Sequence, residues 1–433
     1  MNRKIELPAP LAAAVPIIEQ LTVSGHEAVF VGGAVRDTFM GLPVKDVDIA
    51  TSATPDQVLG LFPKCIPTGL QHGTVTVLHN GESYEITTYR TESAYENHRR
   101  PEEVNYIREL RGDLLRRDFT INAIALTARG ETIDYFGGEA DMELRIVRCV
   151  GDADARFQED ALRMLRAVRF ISAYGFRPSF STWKALLRHR NLLRHIAMER
   201  VQAELDKMLS SKRPQQALRW LAGSGLLRQL KDPIPLPDVI FRSGISARRR
   251  NMEIVPLYNG LHRVKVLDSR WAAVCLIAGI EMEQAMLAMR QLRFSNERRT
   301  RIAALLSIDA ALAAAEGDKL RDACIGVIIQ HGKQAVQNWM CIAPIVPAYS
   351  MQSGMDRLTH IKEIFLSVNV STLKELQVNG REIMKHLDRK SGPWLSGLLM
   401  RLLHAAAAGE LMNERNELLR QARLWSEEQS DNE

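Results

Sequence analysis

The sequence predicts an α+β protein: a small mixed sheet in the first third of the chain, then helices to the end. Three observations carry that expectation. Residues 28–52 read AVFVGGAVRDTFMGLPVKDVDIATS, a strand, a Gly-Gly turn, a helix and a second strand in order. Two alternating runs, Thr74–His79 and Tyr84–Tyr89, flank Asn80-Gly81, the strongest short-range signal for a β-hairpin. From about Arg145 the apolar residues recur at helical spacing and continue so.

Residues 8–24 read as an amphipathic helix with Leu11, Val15, Ile18 and Leu21 on one face; Pro16 implies a kink or a later start. Ala28–Val31 reads as a short buried strand. Gly32 and Gly33 follow at a strand-to-helix turn, where bare backbone can approach a phosphate and helix N–H groups point at it. Arg36, one turn in, adds a charged fork for the same phosphates. Asp46-Val47-Asp48-Ile49-Ala50 reads as the second strand. Strand alternation puts Asp46 and Asp48 on one face and turns Val47 and Ile49 into the core. Adjacent carboxylates repel unless a cation sits between them, and an oxygen-rich site suits Mg²⁺ completed by substrate phosphates. A Gly-Gly alone marks a turn and an Asp-x-Asp alone marks a solvated edge. In this order they read as a place where a metal-bound nucleotide is held.

Thr54-Pro55 opens a further helix. Glu85, on the second hairpin strand, is either a third carboxylate near the metals or a partner for an arginine. Residues 91–118 are densely charged, either a solvated face or a loop that closes over a reaction. Arg117 and Asp118 then precede a strand-like stretch, Phe119–Leu126, whose apolar pattern Asn122 breaks. An arginine, an aspartate and an asparagine there are suited to phosphate and ribose hydroxyls, or else to a local salt bridge.

Residues 159–170, EDALRMLRAVRF, read as one helix with Ala161, Leu165 and Val168 on its core face. Asp160 and Arg163, three apart, share a face that Arg166 and Arg169 continue. The plain alternative is a surface ion pair worth little. Residues 199–227 read as two helices broken at Lys212-Arg213-Pro214, and residues 231–260, with Arg248, Arg249 and Arg250, as a connection or basic rim. Helical periodicity returns over 271–315, with Arg298, Arg299 and Arg301, and over 318–340; the chain closes on helices and an acidic end.

The composition is that of a soluble globular protein: 433 residues, 46% hydrophobic and 25% charged. No apolar run approaches a membrane span and the N-terminus lacks a secretory pattern, so a cytoplasmic protein is expected. Five scattered cysteines without a CxxC pair read as buried free thiols, not a disulfide framework or zinc site. The net charge of +6 fits a polyanionic partner.

GGAVRD followed by DVD resembles the catalytic core of the polymerase-β nucleotidyltransferase superfamily. Within it, RRDFTINAIAL, DYFGG and EDALRMLRAVRF resemble the bacterial class II tRNA nucleotidyltransferases, the CCA-adding enzymes. AYENHRRP, the helix opening at Met198-Glu199-Arg200, and VNGREIMKHL with GPW in the tail are similar to the Bacillus-type members. The resemblance covers most of the chain and is weakest over about 231–370.

It implies a seahorse-like arrangement: a nucleotidyltransferase head (1–144), a helical neck with the base-recognition motif (145–212), a body (213–320) and a tRNA-binding tail (321–433). Asp46 and Asp48 would be catalytic and bind the Mg²⁺ ions. Gly32, Gly33 and Arg36 would hold the triphosphate, and Arg117, Asp118 and Asn122 the ribose and phosphates. Glu159, Asp160 and Arg163 would select the base, with Arg166 and Arg169 close by. Arg248, Arg249, Arg250, Arg298 and Arg299 are the basic candidates for tRNA. The partners implied are tRNA, CTP and ATP, with no membrane and with a homodimer left open. Aspartate accepts and arginine donates, so an Asp160–Arg163 pair matches the amino group and ring nitrogen of C and A. It mismatches the ring N–H and carbonyl of G and U. Poly(A) polymerase is the nearest alternative, but its GRRF-like element is missing from FPKCIPTGLQHGTVTVLH; an enzyme adding only A is the other.

Overall fold

The computed structural model describes residues 4–92, 95–96, 100–101, 104–235, 258–317 and 319–430. The chain divides into two compact units, Met1–Ile234 and Pro235–Glu433. All of the sheet lies in the first.

The leading helix α1 (Ala9–Val23) continues through Pro16 and buries Leu11, Ala14, Ile17, Ile18 and Leu21. It packs beside β1 (Ala28–Val31), which is buried throughout. Next come α2 (Gly32–Phe39), β2 (Asp48–Thr51) and α3 (Pro55–Leu61), the last opened by a capping box between Thr54 and Gln57. Then follow β3 (Cys65–Gly69), β4 (Thr74–His79) and β5 (Glu82–Thr88). Asn80 and Gly81 both take positive φ, 51° and 85°, as a two-residue hairpin turn requires.

Four short strands then pair in two ladders: β6 (Arg90–Glu92) with β9 (Val104–Tyr106), and β7 (Tyr95–Glu96) with β8 (Arg100–Pro101). After α4 (Leu110–Leu115), β10 (Ala125–Leu126) and β11 (Thr132–Ile133) complete a seven-stranded sheet ordered β11-β10-β1-β2-β5-β4-β3. Only β2 and β5 pair in parallel, so the sheet is mixed. Val29, Val31 and Ala50 face a core with Tyr89, Leu110, Leu114 and Val150.

Three local expectations are corrected. The second strand begins at Asp48, leaving Asp46 in the exposed segment before it, although Val47 and Ile49 are buried as the alternation requires. The strand expected over Phe119–Leu126 shrinks to its last two residues. Thr120–Asn122 is a 3₁₀ turn, because the Asp118 carboxylate accepts from the Phe119 N–H and from the Asn122 amide. The helix expected over 159–170 is two helices, α6 (Ala153–Glu159) and α7 (Leu162–Tyr174). Asp160 breaks it with an extended backbone (φ −136°, ψ 104°), its side chain accepting from the Leu162 N–H.

The remaining first-unit helices are α8 (Phe180–His189), α9 (Met198–Ser210) and α10 (Pro214–Ser224), the last two matching the pair expected over 199–227, with α5 (Gly138–Glu143), which was not expected, lying earlier against the 120–122 turn. The break before Pro214 falls where expected. In the second unit helices run over 267–278, 282–291, 296–314, 319–331 and 333–342, and then from 352 to 430 in four more. A separate core there joins Leu402, Leu403, Leu418 and Ala422. Arg248, Arg249 and Arg250 lie outside the described residues. Among the described residues no helix is long and apolar enough to cross a membrane. All five cysteines are free; Cys149, Cys275 and Cys324 are buried, but Cys65 is only partly so and Cys341 is exposed, against expectation.

Gly138 marks how tightly the 120–122 turn is seated. A Cβ there would lie 2.3 Å from the Thr120 carbonyl oxygen and 2.7 Å from Ile124 Cγ1. Gly138→Ala should therefore destabilise the first unit by about 1–3 kcal/mol through overpacking. A calorimetric melt should show a drop of several degrees, whereas an unchanged transition would mean that α5 yields freely.

Candidate active site

The site is built where β1 ends, β2 begins and α2 starts. Gly32, the first residue of α2, has φ +72°, and a Cβ there would come within 3.1 Å of Asp48 Oδ2 and 3.5 Å of Arg117 Nη1. The glycine lets backbone, carboxylate and guanidinium share one spot. Asp48 pairs in register with Val31 on one side and with Glu85 on the other. Burial first, then Glu85 and Asp46, push its pKa up to about 6, against the opposing pull of Arg117 and Arg36. Glu85 thus stands beside Asp48 as a like charge, and no arginine partners it among the described residues. An ionised Asp48 here calls for a cation. Among the described residues no three His, Cys, Asp or Glu side chains are placed to hold a metal ion. A pair of carboxylates is the donor set of a Mg²⁺ that keeps its waters and takes its other ligands from phosphates. The residues fit the ion.

Four of the predicted nucleotide residues, Arg36, Asn122, Asp118 and Arg166, form one hydrogen-bonded chain. Arg36 is nearly buried, donates through Nη1 to Asn122 Oδ1 at 2.7 Å, and lies over the rings of Phe170 and Tyr174. Its other nitrogens hold Asp37 Oδ1 at 2.8 and 3.0 Å. Asn122 in turn donates to Asp118 Oδ1 at 2.9 Å. Asp118 Oδ2 takes both Nε and Nη2 of Arg166 at 2.7 Å. Burial alone would raise the Asp118 pKa, yet Arg166 and the Asn122 hydrogen bond hold it down to about 2. Arg117 is tied to Asp113 at 3.1 Å, and Arg116 binds the same carboxylate at 2.7 Å. The Arg117 Nε is buried and has no acceptor among the described residues.

Asp160 and Arg163 are brought near each other but not paired. Arg163 donates to Glu159 Oε2 at 2.6 Å and to the Arg116 carbonyl at 2.9 Å. Asp160 instead receives Arg200, 2.7 Å away at Oδ2. The i,i+3 relation fails because the extended backbone at Asp160 breaks the helix between the two residues; Arg163 pairs across the break with Glu159, the last residue of α6. Arg169 binds Glu204 at 2.7 Å and covers the Phe170 ring at 4.1 Å.

Sequence reasoning missed Asp113, Asp37, Glu204 and Arg200 as members of this network. Arg200 opened a quoted motif, and Asp113 lay beside Arg116 and Arg117, but neither spacing disclosed a partner. Outside the network, Arg298 is anchored on Asp268 at 2.7 Å and stacks on Phe294 at 4.1 Å. Arg301 shares Asp268 at 2.8 Å, and Arg299 donates to Asn296.

Comparison with known proteins gives the arrangement its relatives. The family model described as the poly A polymerase head domain matches residues 28–148, and a tRNA nucleotidyltransferase domain 2 matches 264–422. A probable RNA and SrmB-binding site of polymerase A matches 175–235. The CCA-adding enzyme of Geobacillus thermodenitrificans is 38% identical over 412 residues, covering 94% of this chain and 96% of its own. That of Bacillus velezensis is 34% identical, covering 96% and 98%. The crystal structure of the Bacillus stearothermophilus CCA-adding enzyme in complex with CTP superposes with a TM-score of 0.82 at 32% identity, covering 98% of this chain and 100% of that one. With such identity along nearly its whole length, and with the paired glycines, carboxylates and arginine network in one compact unit, this chain belongs to the CCA-adding enzymes and is a nucleotidyltransferase.

Proposed function

We propose that the chain adds C, C and A to the 3′ end of tRNA from CTP and ATP, without a nucleic-acid template. The observation that carries this is likeness across nearly the whole chain to CCA-adding enzymes, one of them solved with CTP. It is joined by a site that gathers phosphate-binding backbone, a carboxylate pair and base-reading side chains. We take the protein to be cytoplasmic, and divide it for function into head (1–144), neck (145–212), body (213–320) and tail (321–433). Body and tail are assigned to tRNA, with Arg299 and Arg248–Arg250 as candidate phosphate contacts. Arg298 is better read as structural, since Asp268 and the Phe294 ring already hold it.

In the reaction the terminal 3′-hydroxyl of tRNA attacks the α-phosphate and pyrophosphate leaves. Asp46 and Asp48 would hold Mg²⁺, which when bound would lower the pKa of that hydroxyl and stabilise charge on the leaving oxygens. Gly32 and Gly33 bring α2 backbone N–H groups to the triphosphate. Arg117 supplies positive charge beside Asp48, with its Nε still able to donate. Asp118 and Asn122 act behind this layer, holding Arg36 and Arg166 in place. Arg163 offers a donor and Asp160 an acceptor to the base, each braced by its own counter-ion.

Incorporation of labelled CTP and ATP into tRNA lacking its 3′ end tests the assignment, and product length separates CCA addition from addition of A alone. Asp48→Ala should lower incorporation by about 10²–10³-fold or more while tRNA binding persists. In metal-free buffer its melting temperature should equal or exceed that of the parent, because a crowded carboxylate is gone; full activity would remove the central assignment.

Arg163→Ala leaves Asp160 paired with Arg200 and removes the donor together with its bonds to Glu159 and the Arg116 carbonyl. The share of UTP and GTP in a four-nucleotide competition should then rise about tenfold or more. A wild-type preference would make Arg163 a brace and no more.

Asp118 predicts an acid limit. Its folded pKa lies below the unfolded value, so its contribution is full above about pH 4 and is lost as pH falls through about 2. That contribution is about 2 kcal/mol. Unfolding of the parent and Asp118→Asn, followed from pH 5 to 2, should converge at the acid end; parallel curves would deny Asp118 this role.

A further inference from the structure

We propose that Tyr174, the last residue of α7, is a positioning residue for the triphosphate: its ring and hydroxyl hold the Arg36 guanidinium beside the Gly32-Gly33 turn. The proposal rests on the reading of Arg36 as a triphosphate residue. Arg36 stands in α2, and a Cβ at Gly33 would lie 3.6 Å from its Nη2. Its Nε and Nη2 both donate to Asp37 Oδ1, at 3.0 and 2.8 Å. The helix itself does not supply that pairing, because consecutive side chains diverge around its axis. The organiser comes from α7. The Tyr174 hydroxyl donates to the same Asp37 oxygen at 3.3 Å, and the Arg36 guanidinium carbon lies 5.0 Å from the centre of the Tyr174 ring.

Phe170, one turn back on α7, completes the seat at 5.2 Å from the same carbon. The two rings lie nearly parallel, their centres 6.0 Å apart and their planes at 9°, and present one aromatic wall to the cation. Arg166 and Arg169 also lie against Phe170, at 5.4 and 4.1 Å, whereas the Tyr174 ring takes Arg36. With Nη1 on Asn122 at 2.7 Å, the guanidinium is held along its edges and against one face. Nη2 carries a second N–H, which the bond to Asp37 does not use and a phosphate oxygen at the turn can accept. Tyr174 closes the helix that Arg163 helps to open, about 16 Å away along its axis. Removing the Tyr174 ring therefore loosens the phosphate end and leaves the base readers alone. Triphosphate affinity falls while base preference stays.

The test uses the full-length protein and tRNA lacking its 3′ end, with CTP and ATP as substrates and inorganic tripolyphosphate as a competitor without a base. Tyr174→Ala should raise KM for both nucleotides, and the tripolyphosphate concentration needed for half-inhibition, by about fivefold or more, the worth of a desolvated cation–π contact. The preference for C and A over U and G should not change. Tyr174→Phe keeps the ring and loses the bond to Asp37, so it should recover most of the affinity. In an Arg36→Ala background, Tyr174→Ala should add no further loss. Should either alanine variant fail to fold, Tyr174→Leu and Arg36→Met, which keep bulk without the ring or the charge, carry the same comparison. If Arg36→Ala weakens tripolyphosphate while the Tyr174 variants bind it normally, the inference about Tyr174 fails and the reading of Arg36 stands. If Arg36→Ala binds tripolyphosphate normally, both fall. A rise in KM without weaker tripolyphosphate inhibition would assign Tyr174 to the base or to the fold and overturn the proposal.

Discussion

Asp118 is a carboxylate that the fold has taken almost wholly out of water, and the candidate site is arranged around satisfying it. A buried unpaired charge costs several kcal/mol, so each of its oxygens must be met. The Phe119 N–H and the Asn122 amide meet one, and Arg166 meets the other with two donors. Each partner belongs to a different part of the site. Asn122 passes the constraint to Arg36 on α2, and Arg166 fixes α7, whose other arginines reach Glu159 and Glu204. One buried charge thereby ties the turn after α4, the glycine-led helix and the base-reading helix into a single geometry.

Asp48 shows the opposite economy. Asp118 is stabilised by cations, whereas Asp48 is crowded by Glu85 and Asp46 and partly buried, with its pKa raised to about 6. A fold selected only for stability would not place three acidic side chains there. The conflict is local and sits at the mouth of β1 and β2, where a rule broken without structural compensation marks function. The backbone bears a share of it, since Gly32 must take a positive φ to clear Asp48 and Arg117.

Selectivity without a template demands side chains whose directions are fixed before the base arrives. Here the two candidate readers are braced separately: Arg163 by Glu159 and a backbone carbonyl, Asp160 by Arg200 and the Leu162 N–H. Separate bracing lets one be perturbed without dislodging the other. It also explains why a break at Asp160 serves better than a continuous helix, because the break faces Asp160 toward α9.

Much of this was written into local sequence. The hairpin at Asn80-Gly81, the buried run Ala28–Val31 and the break before Pro214 all follow from short-range rules of turn chemistry and apolar patterning. Motif resemblance supplied the family and the candidate residues as a set. Tertiary structure alone decided which charges meet. Asp160 turned from Arg163 to Arg200, forty residues on, because an aspartate that bonds the backbone N–H two residues on ends one helix instead of continuing it. Arg166 found Asp118 across forty-eight residues, and Arg298 was absorbed by Asp268 instead of remaining a free cation. Spacing along a chain fixes which face a charge occupies. Its partner is fixed by what packs against that face, and that is set only when the elements come together.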